Sequence, residues 1–400
     1  MRIVHILHGK VNPDTLNGVS KVAHWMATYQ FRLGHDVEVW GLADSLNLTP
    51  RPREYKMRLF NITRLRVVLG SELKFALGSL QPGTWVHFHS VFCPEFPSIA
   101  RVLRNRGVRY GVTPHGGYSP GVMRKNRLKK WLYVAMRERR YLTDASWMQA
   151  IGRSEINDIL AIAPKANVGL IPNGQVLDLL KGIEVPRMES DHPVIGYCGR
   201  LTIRQKGLDY LLPGFSTYKV NGGHGQLWLI GDDVDRPAVE RMAAEGGFQD
   251  HVKFFGAMTG SAKLEVLANI DVFVHSSRWE GLPAACLEAA SLGKPLLVSR
   301  ETNLADYVER SGAGLVLDET SSAGVTRALE RVQQLYEGNQ LGPMGEKARL
   351  LVEKEFSWEE NARSFVAAIA ATESREEIEG ADAHRVKVIP LPKKTKAHLR

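Results

Sequence analysis

The sequence predicts an α/β protein built from two doubly wound, Rossmann-like parallel sheets. Three observations carry that expectation. Short apolar runs alternate with amphipathic stretches, the alternation stops at a polar, proline-containing segment, and it then starts again. The chain of 400 residues also exceeds one ordinary core, since domains run about 100–200 residues. Hydrophobic residues make up 44% and charged residues 24%, the composition of a soluble globular protein.

The elements follow in order. "RIVHIL" is broken by His5 and closed by His8 and Gly9, too short an apolar run for a secretory segment and suited to a first buried strand. "DVEVWGL", "WVHFHS" and "YGVTPHG" read as the next strands, most of them followed by a helical pattern. After "NVGLIPNG" comes "KGIEVPRMESDHP", a linker by composition. "PVIGYCGRL", "QLWLIGDD", "VKFFGAM", "DVFVHSS", "KPLLVS" and "GAGLVLD" repeat the pattern. Strand–helix alternation at this spacing implies parallel sheets covered on both faces, and ligands then sit at the carboxyl ends of strands. The expected domains are residues 1–185, residues 186–360, and a tail piece 361–400 whose helix packs back on the first domain before a basic end. Two such sheets, facing, would put a ligand in the cleft between them.

No run approaches the roughly 20 apolar residues of a membrane helix. Cys93, Cys198 and Cys286 are far apart and unpatterned, which fits a reducing cytoplasm and argues against a disulfide framework or zinc cluster. Charge is uneven. Residues 1–185 hold 26 Lys+Arg against 13 Asp+Glu, whereas the remainder holds 26 against 30. The first half therefore expects an anionic partner.

Chemistry gathers at strand ends. In "SRWEGLPAACLEAASLGKPLLVS", Glu280 precedes a helix and Glu288 stands eight positions on, with Pro283 suited to the first helical turn. The backbone N–H groups of Gly281 and Leu282, with the helix dipole, make an anion site. In "GYCGRLTIRQKGLDYLL", Arg200 and Lys206 follow a strand and suit a diphosphate, one as a planar fork and the other as a point charge. In the first half, Asn17-Gly18 opens a helix after strand one, and His115 in "TPHGGYSP" ends another strand with glycines beside it. Each of these has a plain structural alternative when taken alone: a solvated glutamate, loop cations, an N-cap turn, a structural histidine. His87 and His89 alternate on one strand and share a face, but no third metal ligand is evident.

Together the E-x7-E element, "GRLTIRQKG", "IPNG" at 171–174, the Gly18 loop and "PHGG" resemble the retaining GT-B glycosyltransferases called family 4, over roughly residues 1–370. The resemblance implies a nucleotide-sugar donor held mainly by the second domain and no cofactor or metal. It implies that Arg200 and Lys206 hold the donor diphosphate, Glu288 the ribose, and Glu280 hydroxyls of the transferred sugar. His115 and Gly18 would meet the donor from the first domain, and Gly256 in "FFGAM" would border the base. Three departures stand out: Asn17 replaces the first of the usual paired glycines, the Arg-to-Lys spacing is six rather than five, and "EGLP" replaces E-G-F-G.

The stretch 123–147 puts Arg124, Lys125, Arg127, Lys129 and Lys130 beside Trp131, Leu132, Tyr133 and Val134. One helix of this kind suits an anionic membrane surface, at about 1 kcal/mol per basic residue, or else packs its apolar stripe on its own domain. With family habit it points to a glycan or polyprenyl-diphosphate-linked acceptor in bacterial cell-surface polysaccharide synthesis, at the inner face of the membrane. The rivals are an epimerase of the same fold, a phosphorylase, and a transferase with a soluble acceptor. An oxidoreductase is disfavoured because "LHGKVNPDTLNG" lacks G-x-G-x-x-G, and a nucleic-acid binder because no such motif appears.

Overall fold

The computed structural model describes residues 1–12, 18–45, 52–177, 185 and 192–379, with the side chains of the last helix described as far as Thr372. Asn17, most of the linker stretch 181–193 and the basic end from 380 lie outside the described residues. The chain divides into two units: Met1–Asn173 joined by the segment from Trp358, and Gly174–Ser357.

The first unit is a seven-stranded sheet in the order β3-β2-β1-β4-β5-β6-β7. Its strands are β1 Arg2–His8, β2 Asp36–Ala43, β3 Lys56–Asn61, β4 Thr84–His89, β5 Tyr110–Thr113, β6 Trp147–Ala150 and β7 Val168–Leu170, all paired in parallel. Val4, Ile6, Val86 and Phe88 point to one face and join its core cluster. His5 and His87 are register partners and point to the other face. There Phe365, from the Trp358–Glu379 helix, lies 6.1 Å from the His5 ring and 4.8 Å from the His87 ring, measured between centroids. Three strands escaped the sequence reading, among them β7 with only three residues. β3 is an edge strand with mostly exposed or half-buried residues, and β6 is only four residues long.

The second unit is a six-stranded parallel sheet, β10-β9-β8-β11-β12-β13. It comprises β8 Val194–Cys198, β9 Gln226–Ile230, β10 Val252–Gly256, β11 Val272–His275, β12 Leu296–Val298 and β13 Gly314–Val316. Alternate residues divide between two cores. Tyr197, Leu229, Val274 and Leu297 enter one, and Cys198, Ile230, Phe273 and Val298 enter the other. Both faces are covered, so these strands read as continuous apolar runs rather than alternating ones.

The basic stretch is not one helix. Pro120–Arg124 ends before Asn126, which sits in the left-handed region at φ 57, and Arg127–Tyr133 then passes into a π-helical turn at Val134–Glu138. A left-handed residue cannot continue a right-handed helix, so the chain turns there. Among the described residues no helix is long and apolar enough to cross a membrane. Cys93, Cys198 and Cys286 are free thiols and buried.

Candidate active site

In each sheet the strand order reverses beside its first strand, between β1 and β4 and between β8 and β11. The carboxyl ends of strands at such a switch point bound the natural crevice of an open α/β sheet. In the second unit, Gly199 and Arg200 follow β8, and Ser276 and Ser277 follow β11. Lys206 ends the short Ile203–Lys206 helix, and Gly207 caps it in the left-handed region at φ 64. A Cβ on Gly207 would stand 2.1 Å from the Ser276 carbonyl oxygen, so only glycine lets the backbone lie this close. The Ser276 hydroxyl donates to the Lys206 and Gly207 carbonyls, each at 3.2 Å.

That contact brings Lys206 to Glu280. The Lys206 ammonium donates to Glu280 Oε1, as do His275 Nε2 at 3.2 Å and the Ser277 hydroxyl at 2.9 Å. All three donors converge on one oxygen, and Oε2 is left without a partner among the described residues. Burial by itself would raise the Glu280 carboxyl, yet the His275 hydrogen bond and the Lys206 charge outweigh it and hold the group down to about 2. Burial lowers His275 and keeps it neutral, so it serves as an N–H donor while Lys206 supplies the compensating charge. Glu280 is therefore a fixed carboxylate.

The loop around it is braced from below. Asn303, left-handed at φ 59, donates from Nδ2 to the Glu280 and Gly281 carbonyls at 2.9 and 2.8 Å. Glu280 N–H donates to the Glu301 carbonyl. The N–H groups of Gly281 and Leu282 donate to nothing among the described residues. Pro283 is the N-cap, one residue earlier than the first-turn position read from sequence, and the helix runs Ala284–Ser291. Glu288 is not joined to Glu280: its Oε2 takes the ammonium of Lys263 at 2.6 Å, from the Gly260–Ala268 helix. Arg200 stands apart as well. Its side chain is 64% exposed, 3.3 Å from Gln205 Oε1 and 3.9 Å from the Asp233 carboxylate. Gly256 ends β10 at φ 72, with Arg236 Nη1 3.5 Å from where a Cβ would be.

In the first unit His115 follows β5 with φ 55, a strained value for a non-glycine residue. The next N–H, that of Gly116, donates to the buried carboxylate of Glu155, which also accepts from Ile151 N–H. Burial pushes the Glu155 carboxyl up to about 7 and the His115 imidazole down to about 4. Gly18 begins the Gly18–Arg32 helix, and among the described residues beyond its own helix no atom lies within 4 Å of where its Cβ would be, so their packing does not require a glycine there. His87 and His89 are buried beside His5, and among the described residues no group of three His, Cys, Asp or Glu is placed to hold a metal ion.

Along the basic stretch Arg124, Lys125, Arg127 and Lys129 are exposed, as are Leu128 (87%), Trp131 (41%), Leu132 (58%) and Met136 (66%). Lys130 instead bonds the Val122 carbonyl and lies over the Phe92 ring. Behind this surface Glu138 is buried, accepting from Tyr118 hydroxyl at 2.6 Å and from Phe92 N–H.

Sequence reasoning missed His275, Ser277, Asn303, Lys263 and Glu155. His275 was visible as the one polar residue of the strand Val272–His275 within "DVFVHSS". Lys263 carried no signal, because a lysine in an amphipathic helix is ordinary.

Residues 17–174 match the model of a glycosyl transferase 4-like domain, and residues 192–334 match that of glycosyl transferases group 1. The lipopolysaccharide core biosynthesis glycosyltransferase LpsE of Rhizobium meliloti is 29% identical over 143 residues, covering 36% of this chain and 40% of that protein. A lipopolysaccharide 1,2-N-acetylglucosaminetransferase of Salmonella typhimurium is 26% identical over 217 residues, covering 50% of this chain and 56% of that protein. The matched stretches thus span less than two thirds of these relatives' own lengths. The fold is that of Anabaena Alr3699/HepE, solved in complex with UDP, at a TM-score of 0.70 and 13% identity over 93% of this chain and all of that one. The two glycosyl transferase domain matches together cover most of the chain, and the protein belongs to the group 1 glycosyl transferases of GT-B fold.

Proposed function

We propose that the protein is a retaining glycosyltransferase that moves a sugar from a nucleotide-diphosphate sugar to a hydroxyl of a glycan or lipid-linked acceptor in cell-surface polysaccharide synthesis. The observation that carries this is the Glu280 carboxylate, with one oxygen saturated by Lys206, His275 and Ser277 and the other open at a switch point. A carboxylate that stays ionised and keeps one free oxygen is suited to accept hydroxyl hydrogens of a sugar. The unbonded N–H groups of Gly281 and Leu282, the remaining Lys206 hydrogens and the exposed Arg200 are suited to the diphosphate. Glu288 takes the ribose and Gly256 borders the base. UDP in Alr3699/HepE supports a nucleotide donor. In this reading Arg200 and Lys206 neutralise the diphosphate, and no cofactor or metal is called for.

Breaking the sugar–phosphate bond puts negative charge on the departing diphosphate. Donors fixed on it act where that charge grows, and loss of one raises the barrier by about 3–4 kcal/mol. The acceptor hydroxyl attacks from the face the diphosphate leaves, which retains configuration. His115 and Gly18 serve the donor from the first unit.

A thermal-shift screen with UDP-, GDP- and ADP-sugars tests the donor: one class stabilises the wild type, and Glu288→Ala weakens that response. No response to any of them would sink the reading. Radiolabelled sugar appearing in an acceptor, rather than as an epimer of the donor, separates transfer from epimerisation.

The acceptor side rests on exposed Leu128, Leu132 and Met136 beside exposed Arg124, Lys125, Arg127 and Lys129. Apolar groups and cations on one surface suit the inner, anionic face of a membrane and a polyprenyl-diphosphate acceptor there. The enzyme is then cytoplasmic and peripheral. Flotation with anionic vesicles, lost when Leu128 and Leu132 become Ser, tests this; equal flotation with neutral vesicles refutes it.

A further inference from the structure

Beneath His115 lies a row of side chains for which the transfer chemistry has no use. Gln30 Oε1 is 2.7 Å from His5 Nε2, His5 Nδ1 is 2.9 Å from His89 Nε2, and His89 Nδ1 is 3.0 Å from His115 Nε2. Gln30 and His5 are fully buried, His89 is 1% exposed, and Phe365 lies against the His5 ring. Burial lowers all three imidazoles, so each is neutral and carries one N–H and one lone pair. Rings of this kind in a row must all donate in the same direction. With the Gln30 carbonyl oxygen facing His5, the His5 hydrogen is on Nε2, and its Nδ1 accepts from His89. The same step repeats at His89, and it leaves His115 with a hydrogen on Nε2 and a bare lone pair on Nδ1.

We infer that Gln30, acting through His5 and His89, sets which nitrogen of His115 carries the hydrogen, and so makes His115 a hydrogen-bond acceptor at its outer edge. This rests on the reading that His115 meets a sugar hydroxyl. Gln30, His5 and His89 are then positioning residues, and the row acts as an orienting device rather than a proton wire, because a glutamine amide cannot take up the proton. His87 supplies an internal control. Its Nε2 is 2.7 Å from the Thr113 hydroxyl, which donates to Gln149 Oε1 at 2.8 Å, so its hydrogen is fixed independently of Gln30.

The test is long-range proton–nitrogen NMR of the full chain labelled with 15N in histidine, without substrate, where the two nitrogens of each ring are distinguished directly. In the wild type His5, His89 and His115 carry the hydrogen on Nε2. Gln30→Glu at pH 8, an acceptor only, keeps that pattern. Gln30→Met removes the acceptor, the row reverses, and His115 moves its hydrogen to Nδ1 while His87 stays as it was. In transfer assays Gln30→Met lowers kcat about tenfold at unchanged donor KM, the size of one misaligned neutral hydrogen bond, and Gln30→Glu restores it. A wild-type His115 with its hydrogen on Nδ1, or a Gln30→Met spectrum with His115 unmoved, would overturn the inference. The spectra need no turnover. The predicted pattern without any transfer would therefore count against the transferase reading alone.

Discussion

Two buried glutamates show how much a carboxylate depends on its partners. Glu280 has a lysine and is held down to about 2; Glu138 has only a tyrosine hydroxyl and a backbone N–H, and burial pushes it up to about 7. Their effects on stability run in opposite senses. Glu280 stabilises the fold fully above its ordinary value of 4.5, and that contribution, about 3 kcal/mol, disappears as pH falls toward 2. Glu280→Gln should flatten the acid limb of the stability curve, as read by urea unfolding at a series of pH values. Folded protein keeps the Glu138 proton up to about 7, whereas unfolded chain releases it near 4.5, so stability falls as pH rises between those values. Glu138→Gln should therefore gain about 3 kcal/mol at pH 8 relative to its effect at pH 4. Glu280 was legible because it stands in a Gly-Pro turn after an apolar strand. Glu138 was not, because "RERRYL" looks like an exposed helix face and nothing local shows that its one acid turns inward.

Among elements, the short Ile203–Lys206 helix matters more than its length suggests. Gly207 ends it in a conformation and a space that admit no side chain. Gly207→Ala should cost at least about 1 kcal/mol from the left-handed backbone, before its clash with Ser276 is counted. Because Lys206 would move with it, the donor-induced thermal shift should shrink as well; a variant that is destabilised yet answers the donor normally would separate the turn from the site. Strands covered on both faces announced themselves as apolar runs, which made β1, β2, β4 and the series from β8 readable. β3, β6 and β7 lacked that signal, the first as a half-exposed edge and the other two through brevity. The basic stretch read as one helix because periodicity does not report the left-handed turn at Asn126.

For the whole molecule, the two-sheet architecture was legible in the restart of the strand–helix alternation, a signal spread over hundreds of residues and tolerant of local errors. The helix beginning at Trp358 belongs with the first unit: Phe365 packs on His5, His87 and Trp147, and Asn361 Nδ2 donates to the Pro172 carbonyl at 2.9 Å. Phe365→Ala should cost about 3–5 kcal/mol, as truncation of a buried aromatic does, and chemical denaturation would read it. The His5–His89–His115 resonances should broaden in the same variant while the second unit keeps its donor response.

That helix has a consequence for how the protein is made. The opening 173 residues leave the ribosome first, but the piece that covers their histidine-bearing face is synthesised only after the entire Gly174–Ser357 unit. A chain truncated just before Trp358 would thus carry a whole Gly174–Ser357 unit beside a first unit that lacks its cover.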